Sequence, residues 1–289
     1  MQEMKVLIAI PHIFDPKRGS LYSSNNESKR KSKERALYRA TIENINRHNK
    51  EAWIHIARKD DAQIVTKRFQ TNDNLEVNIQ LFTAEGRSLS NLLPDNDRLK
   101  IFDCKNIESI NIPDHASRRL LEQAENYDIL GYMEDDIIIE DSEFFDKIRF
   151  LSDILPVNYA VLPHRCEWIE NKGEVILSGD PVGGRNDLFW DTGEQIEVNW
   201  GKQKKRIYRA TNPHSGCFFI SRKQAIITRE FWERRQWKAP YMLSGPLEQA
   251  ASGRLIEMMK IMKPIPEDYR FLKVRHCDEL WKRHEFIDD

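Results

Sequence analysis

Three consecutive acids, Glu134, Asp135 and Asp136, follow directly on the apolar run Ile129-Leu-Gly-Tyr-Met133. A short run this apolar reads as a buried strand. Such a strand cannot carry three carboxylates through a core, so they must emerge at its C-terminal end. That is the rim at which open α/β sheets bind ligands. Side chains alternate along an extended chain, which puts Glu134 and Asp136 on one side and Asp135 on the other. Two hard oxygen donors on one side suit Mg²⁺ or Mn²⁺ held against a phosphate, with Asp135 left for a sugar or ribose hydroxyl. The same acids could instead simply end the strand and lead into a helix beginning near Asp141 or Ser142.

Other segments carry groups of the same kind. Gly245-Pro-Leu-Glu248 sets proline just inside a helix start and an acid in its first turn, which is good helix chemistry in its own right. Asn212-Pro-His-Ser-Gly216 supplies turn signals ahead of the apolar strand Cys217–Ile220, with glycine permitting a tight backbone. Val274-Arg-His-Cys277 offers a late imidazole at His276, with His284 as its competitor. A lone histidine is more often structural than a ligand, although imidazole suits Mn²⁺. The chain has no G-x-G-x-x-G, no G-x-x-x-x-G-K-[ST], no G-x-S-x-G and no H-E-x-x-H. A phosphate must then be held by another route, and a bridging divalent metal is the obvious one.

The elements that position these groups alternate through the first half. Strands are expected at Lys5–Ile10, Ala52–Ala57, Glu76–Phe82, Leu99–Phe102 and Ile129–Met133, which implies a largely parallel sheet. An amphipathic helix is expected over Arg35–Arg47 and another from an N-cap at Asp114 to about Asn126. Asp15–Lys33, polar and charged, reads as a loop over the rim of the first strand. A helix over Asp141–Ile154 leads to a strand at Tyr159–Leu162, and two more helices at Arg222–Gln236 and Pro246–Lys260 follow the strand at Cys217–Ile220. Between Arg165 and Arg209 the tryptophans, glycines and short alternating runs predict hairpins and loops added to the main sheet.

The combination Tyr127-Asp-(x)-(x)-(x)-Tyr-(x)-Glu-Asp-Asp-Ile137, with a helix soon after it, resembles the GT-A class of nucleotide-sugar glycosyltransferases. The resemblance extends over most of the chain. It implies one GT-A-like domain over residues 1–289: residues 1–140 bind the nucleotide sugar, and residues 141–289 carry an inserted hairpin and loop region for the acceptor. By that resemblance Glu134, Asp136 and His276 bind Mn²⁺ or Mg²⁺, and Asp135 contacts the donor. Glu248 becomes the general base of an inverting transfer, while His214, Ser215 and Gly216 line the transferred sugar and acceptor. Pro11 and His12 touch the base or ribose, and Arg118 or Arg119 clamps the diphosphate. The implied partners are a nucleoside-diphosphate sugar and a saccharide or other hydroxyl acceptor. A glutamate at the first acid position departs from the usual aspartate, and its longer arm can reach a metal through water.

Two rival readings stand beside this one. A sugar nucleotidyltransferase usually carries a glycine-rich basic loop after its first strand, which Ile10-Pro-His-Ile-Phe-Asp15 lacks. A non-catalytic glycan- or partner-binding module on a transferase fold would show no metal-dependent nucleotide binding. A net charge of -1 counts against a dedicated nucleic-acid binder. Cys104, Cys166, Cys217 and Cys277 are scattered without a C-x-x-C, so neither zinc nor a disulfide framework is expected. With no signal-like or membrane-spanning run, a cytoplasmic location is the expectation. The aromatic-basic run Phe231–Lys238 fits a helix lying on lipid as well as an ordinary exposed helix.

Overall fold

The computed structural model describes residues 3–15, 29–49, 51–57, 64–70, 75–177, 193–210, 212–238 and 245–277. Strand β1 (Met4–His12) is apolar on both faces because both faces are covered. Val6, Ile8 and Ile10 pack with Leu37, Ala40 and Ile45, which come from the helical segment α1 (Arg30–Tyr38), a π-helical turn (Arg39–Glu43) and α2 (Asn44–His48). Leu7 and Ala9 face the other way. The alternation along one strand thus sorts its side chains into two hydrophobic clusters.

The segment following α2 departs from the expected pattern. Strand β2 (Glu51–Ala57) does not join the parallel sheet; it pairs antiparallel with β3 (Ile64–Gln70) in a two-stranded ribbon of its own. Ile54, Ile56 and Phe69 are exposed there. The apolar spacing of Ala52–Ala57 marks a strand without marking its partner, and the nearest partner in the chain is the next strand. The second parallel strand is instead β4 (Leu75–Ala84), alongside β5 (Leu99–Cys104).

Helix α3 (Ile112–Leu121) begins earlier than its acid suggested. Asn111 occupies the N-cap position and Pro113 the first turn, so Asp114 sits inside the helix and pairs with Arg254. Strand β6 (Ile129–Met133) is wholly buried and spans the residues expected of it. It lies beside β1, parallel to it, and accepts β13 (Cys217–Ser221) antiparallel on its other side. The central sheet therefore runs β13-β6-β1-β4-β5 with one antiparallel edge. Gly131 makes the β6–β13 pairing close: a Cβ there would stand 2.4 Å from the ring of Phe219.

Helix α4 (Phe144–Ile154) covers the α1 face with Phe144, Phe145, Ile148 and Leu151. On the opposite face Ile112, Ala116 and Leu120 of α3 meet Ala225 of α5 (Arg222–Arg234) and Ala250 of α6 (Pro246–Ala250). α5 is started by a capping box between Ser221 and Gln224. The region after α4 builds two smaller sheets. One has the order β10-β9-β15-β7, from β7 (Ile137–Ile138), β9 (His164–Ile169), β10 (Gly173–Ile176) and β15 (Lys273–His276). The other is β11-β12-β14-β8, from β8 (Tyr159–Val161), the hairpin β11 (Gln195–Trp200) and β12 (Gln203–Arg209), and β14 (Lys260–Pro264). The expected hairpins are there, and the first of these sheets touches the acid cluster directly through β7.

Candidate active site

The acids leave β6 where it stops: the Glu134 amide donates to the Gly216 carbonyl at 2.9 Å, and the chain then turns into β7. All three carboxylates are buried within a few residues of the strand end. Buried charge requires partners, and each acid finds different ones.

Asp135 faces β1 and α1. Its Oδ1 accepts from the Lys33 ammonium at 2.6 Å, and its Oδ2 lies 2.6 Å from His12 Nδ1. The Leu89 amide donates to the other ring nitrogen, His12 Nε2, at 3.0 Å. That nitrogen therefore carries no proton, and the ring donates to Asp135 through Nδ1. Burial alone would raise the Asp135 carboxyl; Lys33 and His12 outweigh it and hold it below the ordinary range. Lys33 is 8% exposed and lies within α1, whose start at Arg30 falls inside the stretch expected as a loop; residues 16–28 of that stretch lie outside those described.

Glu134 and Asp136 face β9 and β15. One ligand atom from each, with one from His276, lie within 4.8 Å of one another. His276 Nε2 is 3.5 Å from Asp136 Oδ2, and its Nδ1 is 2.5 Å from Oε1 of the buried Glu167. Glu134 has Arg165 Nη1 at 3.7 Å and His214 Nε2 at 4.0 Å. Burial pushes the Glu134 carboxyl up to about 8, against the opposing pull of Arg165 and with Asp136 and Glu248 adding to the rise. Burial would lower His276, yet Asp136 and Glu167 carry it up to about 10. Asp136, which burial would raise, is held well below the carboxylate range by His276 and Lys33. His214 is pushed far down by burial and the nearby cations Arg165 and Lys263, so its ring is neutral.

This half of the site suits a divalent cation. Its donors are two carboxylates and an imidazole, a set acceptable to Mn²⁺. Asp136 Oδ1 is fully buried with no hydrogen-bond partner among the described residues, a costly arrangement that a cation would relieve. Gly216 leaves room: at φ +65° it adopts a backbone that side chains disfavour, and a Cβ there would stand 3.0 Å from Glu134 Oε2 and 2.8 Å from Ile137 Cδ1. The loop carrying His214, Ser215 and Gly216 is fastened from outside. Lys263 donates to the His214 carbonyl at 2.7 Å and Ser252 Oγ to the Pro213 carbonyl at 2.9 Å.

Glu248 stands in the first turn of α6, half-buried, close enough for its charge to raise both Glu134 and the buried Tyr132 phenol. Pro11 is buried at the end of β1, opposite Phe82. Arg118 and Arg119 are not brought to the acids. Both pair with Glu122 on an exposed flank of α3, and Arg118 also lies over Trp237. They occupy the outward face of a helix whose apolar face is used for packing, so neither stands as a diphosphate clamp. The cations that do reach the cluster are Lys33 and Arg165, which sequence reasoning passed over together with Glu167.

Of the tryptophans, Trp232 is fully buried and donates Nε1–H to the Arg254 carbonyl at 2.9 Å. The aromatic-basic run Phe231–Lys238 thus spends this ring on the interior rather than on a lipid face. Trp200 packs between Phe150 and Phe271, Trp168 is 63% exposed, and Trp190 and His284 lie outside the described residues. Among the described residues no helix is long and apolar enough to cross a membrane.

No family model matches the chain, and no curated protein matches it in sequence. Among solved structures it is similar to GalNAc-T7 with UDP, GalNAc and Mn²⁺, at 14% identity and a TM-score of 0.41, over 95% of this chain and 44% of that one. It is also similar to an active-site mutant of LgtC, at 12% identity and a TM-score of 0.39, over 94% of this chain and 86% of that one. This chain spans less than half the length of the first. Values this low assign no residue and no substrate; only the chain's own groups can do that.

Proposed function

We propose that the protein is a metal-dependent glycosyltransferase that moves a sugar from a nucleoside diphosphate to an acceptor hydroxyl. The observation that carries this reading is the convergence of Glu134, Asp136 and His276 at the C-terminal end of β6, with Asp136 Oδ1 buried and unpartnered among the described residues. These three residues would hold Mn²⁺ or Mg²⁺. Bound there, the ion would supply charge stabilisation to a departing diphosphate.

The chain's own groups divide the remaining work. The ends of β1 and β6 form one rim, so a donor nucleotide would lie against Pro11, His12 and Asp135. His12 and Lys33 each hold one oxygen of Asp135, so a donor hydroxyl would meet that carboxylate through its remaining lone pairs. Gly216 lets the sugar approach the metal-facing carboxylate without a side chain between them. His214 and Ser215 stand on the same fastened loop. Glu248, at the start of α6, would take the proton of the acceptor hydroxyl, which gives inversion at the transferred carbon.

Calorimetric titration with UDP, GDP and CDP, with and without Mn²⁺, tests the reading on wild type and Asp136→Ala. Binding of one nucleotide that needs the metal and is lost in the variant is expected. Absence of binding by folded wild-type protein would favour a non-catalytic module. For the base, Glu248→Gln should retain nucleotide binding while turnover falls by about 100- to 10,000-fold, read by product formation. Unimpaired turnover would remove Glu248 from the mechanism and point to retention.

A further inference from the structure

Three histidines stand at the acid cluster; His214 lies 4.0 Å from Glu134, and the other two are used differently. His12 has both ring nitrogens committed within the protein, one to Asp135 and one to the Leu89 amide. His276 has only Nδ1 committed, to Glu167, and turns Nε2 toward Asp136. Glu167 stands on β9, which runs parallel to β15 with Arg275 opposite Cys166, so the next residue along each strand brings Glu167 beside His276. Arg165, two residues earlier and on the same side of β9, reaches Glu134. One strand thus presents a cation to one candidate ligand and an anion to another, both from buried positions, at 5% and 4% exposure.

We propose that Glu167 is a positioning residue of the metal site. It accepts the Nδ1 proton of His276, which fixes the ring plane and leaves Nε2 as the ligating atom. A carboxylate behind a ligating histidine sets its tautomer and orientation and increases its basicity as a ligand. The inference rests on the metal reading of Glu134, Asp136 and His276, and extends it to a residue outside that set.

The test is Mn²⁺ affinity by calorimetry without nucleotide, together with the visible absorption of the Co²⁺-loaded protein, for wild type, Glu167→Gln, Glu167→Asp and His276→Ala. Glu167→Gln keeps the size of the side chain and weakens only the acceptor. It should bind Mn²⁺ about 10- to 100-fold more weakly, with shifted Co²⁺ bands. Glu167→Asp keeps the charge but withdraws the oxygen, and should show the same loss; it also serves if the glutamine variant fails to fold. Wild-type affinity and an unaltered Co²⁺ spectrum in a folded Glu167 variant, alongside a loss in His276→Ala, would overturn the positioning role alone. If wild type binds neither ion, the metal reading fails and takes this inference with it.

Discussion

The two sides of the strand end at Met133 solve the problem of buried acid in opposite ways. On the Asp135 side the carboxylate is saturated: a lysine holds one oxygen and a histidine the other, and that histidine is itself locked by a backbone amide. On the Glu134–Asp136 side the carboxylates are underprovided. Arg165 stands 3.7 Å from Glu134, His276 stands 3.5 Å from Asp136, and one buried oxygen has no partner among the described residues. The saturated side presents a carboxylate already fixed by the protein, with only its remaining lone pairs left for a donor, whereas the unsaturated side leaves a buried acceptor that is costly unless a ligand meets it. Neighbouring residues of one sequence motif therefore carry different duties, divided by the pleat of the strand.

Removing a partner on the saturated side should have the largest effect. Lys33→Met leaves Asp135 buried without its cation, and the expected loss is about 3–5 kcal/mol of folding stability in chemical denaturation. Retention of wild-type stability would mean that Asp135 is not held by Lys33 in solution, and the contrast between the sides would collapse. A smaller effect is expected from Gly216→Ala, which forces a side chain into the left-handed region beside Glu134. That substitution should cost about 1–2 kcal/mol and weaken Mn²⁺ binding as well. Unaltered metal affinity would show that Gly216 serves the turn and not the site.

The smallest effect is a slope with pH. Glu134 rises from 4.5 to about 8 and His276 from 6.5 to about 10. Both hold their protons more tightly in the folded protein, so their contribution is fully present below the unfolded values and is lost as pH rises through the folded ones. Asp135 and Asp136 are depressed instead, and their contribution is lost only in acid, as pH falls below 3.8. Between about pH 7 and 9 the melting temperature of metal-free protein should therefore fall while its affinity for Mn²⁺ rises, since the ion displaces fewer of those protons as Glu134 loses its own. Thermal melts with and without the ion would show it, and a flat or rising metal-free profile would contradict the charge assignment on the unsaturated side.

The acid cluster and the strand that delivers it were legible because apolar runs and carboxylates are local signals. β6 occupies the residues its composition marked, and β1, β4 and β5 lie close to theirs. His276 was reachable through resemblance, because its order in the chain carries information. Lys33, Arg165 and Glu167 were not. In a chain with 31% charged residues, a lone charge has no feature that marks it as buried until the fold encloses it. The one available hint was His-Arg-Cys-Glu within β9, where charges at alternate positions share a face in a strand with no exposed residue before Trp168. The ribbon of β2 and β3 was missed for another reason, since a strand's periodicity does not name its partner.

The π-helical turn at Arg39–Glu43 separates two anchored ends. Beyond it, Asn44 accepts from the Ile139 amide at 3.0 Å and His48 donates to the Ile139 carbonyl at 2.9 Å, which ties α2 to the chain just past the acids. Before it, α1 delivers Lys33 to Asp135. A π turn is one residue more than a helix needs, and each residue of an α-helix advances the phase by about 100°. Deleting one residue within that turn would leave every side chain of α1 chemically intact and rotate the ammonium of Lys33 off the carboxylate. The electrostatic balance at the strand end is thus set by a count of residues in a distant helix, and length there is as constrained as identity is at Asp135.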